Sequence, residues 1–201
     1  MIAFQTRRGI TGRNALLAAT TALLGACTLF GPHTPAQNPD PNHTHADFAV
    51  WIEGKKLDFS ADEHMSGSSS HEHLHLHDGV GHVIHRHKPG LTFGTFLASL
   101  GMNMTEQCLT LESGVPICPD DAQRWRMYVN GNEVPMNPDD VFSDLDKILL
   151  TYGASAEQVK EQLQRLTDDA CLYSQTCPWR GKPPVENCVA DPEVPCVLPP
   201  E

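Results

Sequence analysis

Apolar and polar residues alternate along the segment 43–60, and this pattern predicts a β-hairpin. The apolar side chains of its first strand occupy every second position: Phe48, Val50 and Ile52. The pair Glu53-Gly54 then forms a tight turn, and Leu57 and Phe59 continue the alternation on the return strand. Because successive side chains of a strand point to opposite faces, polar residues line the other face of the first strand. They are His43, His45 and Asp47.

Two further hairpins are predicted later in the chain. The segment 125–136 repeats the alternation around Asn130-Gly131, which is a strong turn signal. The segment 108–118 turns at Ser113-Gly114, and this turn brings Cys108 and Cys118 close enough to form a disulfide. Neither hairpin contains a histidine, so the histidine chemistry is confined to the first half of the chain.

Apolar stripes at helical spacing predict two helices. Thr92 can cap the first, whose stripe begins at Phe93 and which Gly101 can end. Ser155 and Gln158 can form a capping box for the second, which follows a buried-looking strand, "DKILLTYG". Its inward-facing residues are Val159, Leu163 and Leu166. The sequence therefore predicts an α+β domain over residues 43–167, with a small, mostly antiparallel sheet built from β-hairpins and one or two helices.

Residues 168–201 form a segment rich in cysteine and proline, which predicts an irregular tail held by two disulfides. The sequence does not decide how its cysteines pair. They are Cys171, Cys177, Cys188 and Cys196.

The first 26 residues are typical of an export signal, because a start with three arginines and no acidic residue precedes an apolar run. The run ends in "LLGAC", which resembles the lipobox of bacterial lipoproteins. This resemblance implies a lipid on Cys27 and a cell-envelope location, with residues 27–42 as a proline-rich tether. An ordinary secretory signal is the alternative, and it also predicts an exported protein.

The cysteine count agrees with export. Of the seven cysteines, assigning Cys27 to a lipid leaves six, which predict three disulfides in an oxidising compartment. No pair has C-x-x-C spacing, which argues against a thioredoxin-like redox site and a cysteine zinc knuckle.

The charge excludes one class of partner. The formal net charge is −11, and removal of the export signal leaves 11 basic and 25 acidic side chains, or −14. Such a chain repels nucleic acid, so we expect no nucleic-acid partner and contact with a membrane through a lipid anchor only. Cations are its natural partners.

Seven of the 17 residues in "HEHLHLHDGVGHVIHRH" (71–87) are histidine, and they alternate with leucines. A two- or four-residue loop would turn the returning histidines towards the leucines, at a cost of roughly 1–3 kcal/mol each. A three-residue loop, 79–81, instead pairs Leu76 with Ile84 and His75 with His85, with Gly81 as its left-handed residue. This register gathers five histidines on one face and leaves His82 outside them. The five are His73, His75, His77, His85 and His87.

Histidines at this spacing predict a metal site. Three imidazole nitrogens can converge on one ion at ~2.0–2.1 Å, and an all-histidine site favours a transition metal, with zinc or copper(II) as the expected ion. His43 and His45 are further expected ligands, and Asp47 is a candidate to complete the set. His33 and His64 are not expected to take part, and His71 is left open.

The segment "LHLHDGVGHVIHRH" followed by "LTFGTFLASLG" resembles a group of exported archaeal and bacterial proteins that carry L-H-x-H-D-x-x-G and then I-H. The resemblance covers residues 43–101, with His43 and His45 as the opening H-x-H. It implies that this region is one structural unit, and the group has no established activity that would name a reaction.

The sequence favours a non-catalytic protein that captures, buffers or transfers a transition metal, with an unknown protein partner for transfer. A metalloenzyme with a hydrolytic or redox site is the alternative, although neither candidate general base, Glu72 or Asp78, stands in the helical H-E-x-x-H arrangement of zinc proteases, and Glu72 points away from the histidine face of the predicted strand. A surface interaction module with pH-sensing histidines is the third possibility.

Overall fold

The computed structural model describes residues 36–68 and 71–182. The predicted export signal, Cys27 and most of the proposed tether lie outside these residues, as do Cys188 and Cys196. In the part of the chain that is described, no helix is both long and apolar enough to span a membrane.

Short strands and short helices make up the described chain. The strands are β1 (Thr44–Ile52), β2 (Lys55–Lys56), β3 (Leu74–His77), β4 (Val80–Arg86), β5 (Asn103–Met104), β6 (Leu109–Thr110), β7 (Pro116–Ile117), β8 (Trp125–Val129), β9 (Asn132–Val134) and β10 (Lys147–Tyr152). The helices are α1 (Phe93–Ser99), α2 (Ala156–Gln164) and α3 (Ala170–Tyr173), with single 3₁₀ turns at Asp62–His64 and Pro178–Arg180. The α+β class predicted from the sequence is confirmed.

The main sheet has the strand order β3-β4-β1-β10-β8-β9, and β2 also pairs with β1. Its neighbours are antiparallel except β1 and β10, which run parallel with Phe48 beside Ile148 and Ile52 beside Tyr152. A second sheet, β5-β6-β7, carries the predicted disulfide Cys108–Cys118. The sheet is therefore mostly antiparallel and built from hairpins, as expected.

The predicted helix caps are confirmed. The Thr92 hydroxyl accepts from the Thr95 amide at 3.1 Å at the start of α1, and Gly101 follows the helix with φ +73°. Ser155 and Gln158 form the reciprocal capping box of α2. Each such cap stabilises its helix by about 1 kcal/mol.

The two faces of the main sheet are buried differently. One face packs against α1, and the fully buried residues of this core include Val50, Leu76 and Ile84 of the sheet and Leu97 of the helix. On the other face α2 covers Ala49, Trp51 and Leu149, whereas α3 covers Val83. The face covered by α3 is also the one that carries the histidines of β1, β3 and β4. The tail, predicted to be irregular, begins with the short helix α3, and the Cys171–Cys177 disulfide links this helix to the residues that follow it.

The turn of the histidine hairpin differs from the prediction. Asp78 and Gly79 both have positive φ, +53° and +73°, and they form a two-residue turn in which His77 pairs with Val80. The predicted three-residue loop is therefore wrong. The predicted pairing of His75 with His85 is nevertheless present, because the register shifts between these two contacts.

Contacts with residues 59–66, which lie outside the hairpin, accompany this register shift. Only Leu76 separates the paired residues on β3, whereas residues 81–84 separate them on β4. The Leu76 carbonyl accepts from the Ser66 amide at 2.8 Å, and a Cβ on Gly81 would lie 2.5 Å from the Phe59 carbonyl carbon. Gly81 is thus needed for close approach of another backbone segment, and not for a left-handed turn. The shift leaves Leu76 and Ile84 on the core face, as predicted.

Candidate metal centre

Three adjacent strands place histidines in one row across the sheet. β4 lies between β3 and β1, and its His85 pairs with His75 on one side and with His45 on the other. Directly opposed residues of antiparallel strands lie ~4.5–5.5 Å apart at Cβ, so the three imidazoles stand side by side. His43 and His87 lie next to this row, and their rings stack with centroids 4.0 Å apart.

Among the described residues, two groups of three histidines could each hold a metal ion. The β1 group consists of His43, His45 and His85, and the β3 group consists of His75, His77 and His87. Within a group, one ring nitrogen from each residue lies within 4.8 Å of the other two.

The nitrogen separations suit coordination to a single ion. The Nε2 atoms of His43 and His45 are 3.1 Å apart, and those of His75 and His77 are also 3.1 Å apart. Two tetrahedral ligands at ~2.0–2.1 Å from an ion are separated by about 3.4 Å. Small side-chain adjustments would therefore suffice to bind an ion.

Both groups combine buried and partly exposed rings. His45, His75, His85 and His87 are between 0 and 6% exposed, whereas His43 and His77 are intermediate. Each group therefore has a solvent-facing ligand through which an ion can enter.

A hydrogen-bond chain orients His45. Ser174 Oγ donates to Asp144 Oδ1 at 2.6 Å, so its other contact, His45 Nδ1 at 2.7 Å, must donate to it. The proton on Nδ1 leaves the Nε2 lone pair for a metal. Asp144 Oδ1 also accepts from the His45 amide at 2.9 Å and so fixes the backbone of the same residue. Hydrogen-bonded carboxylates commonly support metal-binding histidines in this indirect way.

The β3 group is oriented by similar contacts. His75 Nδ1 lies 3.3 Å from the His71 carbonyl oxygen, which can only accept a hydrogen bond. The proton of His75 is therefore on Nδ1, and its Nε2 lone pair is directed towards His77. His77 Nδ1 lies 3.0 Å from Ser66 Oγ, so that its Nε2 also faces the group.

Helix α3 covers the centre from one side. The Tyr173 ring meets the His85 ring edge-on, with centroids 4.6 Å apart, and lies 5.6 Å from the His45 ring. Both α3 and Ser174 belong to the tail, and the Cys171–Cys177 disulfide spans them. The tail therefore contributes directly to the surroundings of the β1 group.

Asp47 has a different role from the one expected of it. It is 1% exposed and accepts hydrogen bonds from the Asp169 amide at 2.9 Å, the Ala170 amide at 3.1 Å and the Thr167 hydroxyl. These donors occupy both carboxylate oxygens, and Asp47 belongs to neither histidine group. It attaches the start of α3 to β1 instead of completing the metal site.

Of the seven predicted ligands, six fall in the two groups. His73 lies in neither group, and its ring is 6.4 Å from that of His71. His82 lies apart, as expected, with Nε2 3.0 Å from Asp169 Oδ2. His64 is buried against Phe59, 3.5 Å from Glu112. Burial, followed by the neighbouring His73, lowers the pKa of His71 from its ordinary value.

Sequence reasoning missed the supporting residues Ser66, Asp144, Tyr173 and Ser174. Asp144 and Ser174 are 99 and 129 residues from His45, and Ser66 is 11 residues from His77. Their neighbourhood shows no periodic pattern that would point to a site.

Comparisons of the chain with protein-family models, with curated proteins and with solved structures found no match.

Proposed function

We propose that this protein binds a transition metal, zinc or copper(II), at the histidine face of its sheet, and that it captures, buffers or transfers that metal in the cell envelope. The observation that carries the proposal is the convergence of three histidine nitrogens in each group. Imidazole suits both ions, and a site that contains neither thiolate nor thioether does not favour copper(I).

The supporting contacts agree with this proposal. His45 and His75 each carry a proton on Nδ1, held by a serine oxygen or a carbonyl oxygen, which leaves Nε2 as the ligand atom. Because the proton of His75 is on Nδ1, His77 Nε2 donates to His75 Nε2 in their 3.1 Å contact. The Ser66 hydroxyl next to His77 Nδ1 can accept as well as donate, so His77 can hold its proton on Nδ1 and offer Nε2 to a cation instead.

Partial exposure supports reversible binding. His43 and His77 lie at the solvent-facing side of their groups, so that an ion can reach either group without unfolding of the sheet. Exchange of ligands at an exposed histidine is suited to capture and transfer.

Export and lipid attachment are the other parts of the proposal. The "LLGAC" segment supports a lipid on Cys27, and the Cys108–Cys118 and Cys171–Cys177 disulfides are typical of an oxidising compartment. The protein would then hold its metal at a membrane surface through the anchor alone, with no nucleic-acid contact.

The test is metal analysis of the full chain purified without a histidine tag, followed by titration with zinc and copper(II). We expect binding, and we expect His45→Ala and His75→Ala each to weaken it at least tenfold by removing a ligand. His82→Ala is the matched control, because it removes a histidine from the intervening strand β4 that lies outside both groups. Failure of the wild-type chain to bind either ion would overturn the proposal.

A further inference from the structure

The two histidine groups touch each other. The His43 ring stacks on the His87 ring with centroids 4.0 Å apart and an interplanar angle of 29°. The His85 ring of the β1 group lies 4.5 Å from the His77 ring of the β3 group. Rings from the two groups are therefore as close to each other as rings within a group, such as His45 and His85 at 4.8 Å.

The strand β4 connects the groups mechanically as well. His85 belongs to the β1 group and lies on β4, and His87 of the β3 group directly follows Arg86, the last residue of that strand. A shift of β4 that tightens one group consequently moves a ligand of the other.

The two groups contain no negatively charged side chain that would balance two divalent ions. All six ligands are imidazoles, which bind as neutral groups, and neither group includes an aspartate, glutamate or cysteine. Asp144 is a carboxylate nearby, but it acts on His45 through Ser174, and Asp47 is occupied by α3. Two neighbouring dications held only by neutral ligands repel each other unless an anion lies between them.

Each ion would also keep an open position. Three histidines fill three of the four sites that a tetrahedral ion offers, and the fourth is taken by an external ligand. Where two such ions are close, a single small anion can occupy both open positions and offset the repulsion.

We propose that the six histidines form one two-metal centre, and that this centre binds a single small anion, such as hydroxide or azide, between its two ions. This inference rests on the proposed metal binding and deepens it, because it names the stoichiometry and the class of ligand. It distinguishes a coupled centre from two independent storage sites.

The test uses copper(II), whose unpaired electron reports on its neighbour. The full chain, without a tag, is titrated with copper(II) and followed by electron paramagnetic resonance. We expect two ions per chain and a spectrum broadened or weakened by coupling between them. Azide, added to the doubly loaded protein, should saturate at one equivalent for every two copper ions.

Variants at the partly exposed ligands provide the comparison, because their rings contribute less to the buried interior. His43→Ala and His77→Ala should each bind one copper ion tightly and give the sharp spectrum of an isolated ion. His82→Ala should keep two ions and the coupled spectrum. Circular dichroism of each variant checks that the sheet has folded, and His43→Gln and His77→Gln replace any alanine variant that has not.

The outcomes separate the two proposals. Two copper ions with uncoupled spectra, a single ion per chain, or azide binding at one equivalent per copper ion would each overturn the two-metal centre and leave metal binding intact. A chain that binds neither copper(II) nor zinc would overturn both.

Discussion

At the scale of single residues, the centre depends on which nitrogen of each histidine carries its proton. His45 illustrates this, because the Ser174 hydroxyl has one hydrogen and gives it to Asp144, so the imidazole must donate through Nδ1. The arrangement determines the ligand atom before any ion binds. Ser174, a residue of the C-terminal tail, therefore orients His45 on β1.

Replacement of Ser174 tests this role. Ser174→Ala leaves the buried Nδ1–H of His45 without its acceptor, and removing such a supporting contact typically lowers metal affinity about 10–100-fold. We expect a loss of that size at the β1 group, measured by competition titration with a chromophoric zinc chelator. Ser66→Ala is the matched control, since Ser66 contacts His77 and its loss should act on the β3 group instead. Equal effects of both variants on both groups would contradict the assignment.

At the scale of elements, the histidine hairpin shows which part of its geometry is local. The pairing of His75 with His85 could be predicted, because Leu76 and Ile84 must both face the core. The two-residue turn also has a local signal, because Asp-Gly favours positive φ at both turn positions, as Asp78 and Gly79 adopt. The register shift beyond it could not be predicted, because Gly81 packs against the backbone of Phe59 and Ser60. The local sequence of the hairpin contains no information about that distant segment.

Gly81→Ala tests the cause of the register shift. A Cβ at this position would lie 2.5 Å from the backbone of both Phe59 and Ser60, so one segment must move. Overpacking of this kind costs about 1–3 kcal/mol, which we expect as a loss in the free energy of unfolding measured with urea. Asp78→Gly, at a turn position with φ +53°, should be neutral or slightly stabilising. Unchanged stability of Gly81→Ala would show that the close packing is unimportant.

The carboxyl group of Asp169, which contacts His82 on β4, makes the stability of the fold depend on pH. Burial raises the pKa of Asp169, but hydrogen bonds and charges from His82 and Arg180 outweigh it and hold the pKa below 3.8. A carboxyl group with a depressed pKa stabilises the fold above the pKa that it has when unfolded, and this stabilisation is lost as pH falls through the folded value. Asp169 therefore contributes stability at pH 6 that disappears below pH ~4.

Urea denaturation of Asp169→Asn at several pH values measures this contribution. The variant should be less stable than the wild-type chain at pH 6, and the difference should shrink as the pH approaches 3. Because Asp169 is partly exposed, we expect the difference at pH 6 to be no more than about 1 kcal/mol. A difference that is constant from pH 6 to pH 3 would be inconsistent with this linkage.

At the scale of the whole molecule, alternation along the chain predicted the hairpins, the helix caps and six of the histidines that meet in the structure. It did not predict the parallel pairing of β1 with β10 or the packing of α3 on the histidine face, because both join segments about 100 residues apart. The acidic charge of the chain favours cations as partners, and the sheet brings together two histidine groups that could hold a metal ion.

X-ray absorption spectroscopy at the zinc edge, on the tag-free, zinc-loaded chain, shows directly whether the histidine face holds the metal. We expect a first shell of three imidazole nitrogens and one light ligand at ~2.0–2.1 Å, with no sulfur. His43→Ala combined with His77→Ala should lower the number of imidazoles in each shell. A wild-type shell made of carboxylate and water oxygens, without imidazole, would contradict the claim that the histidine face is a metal centre.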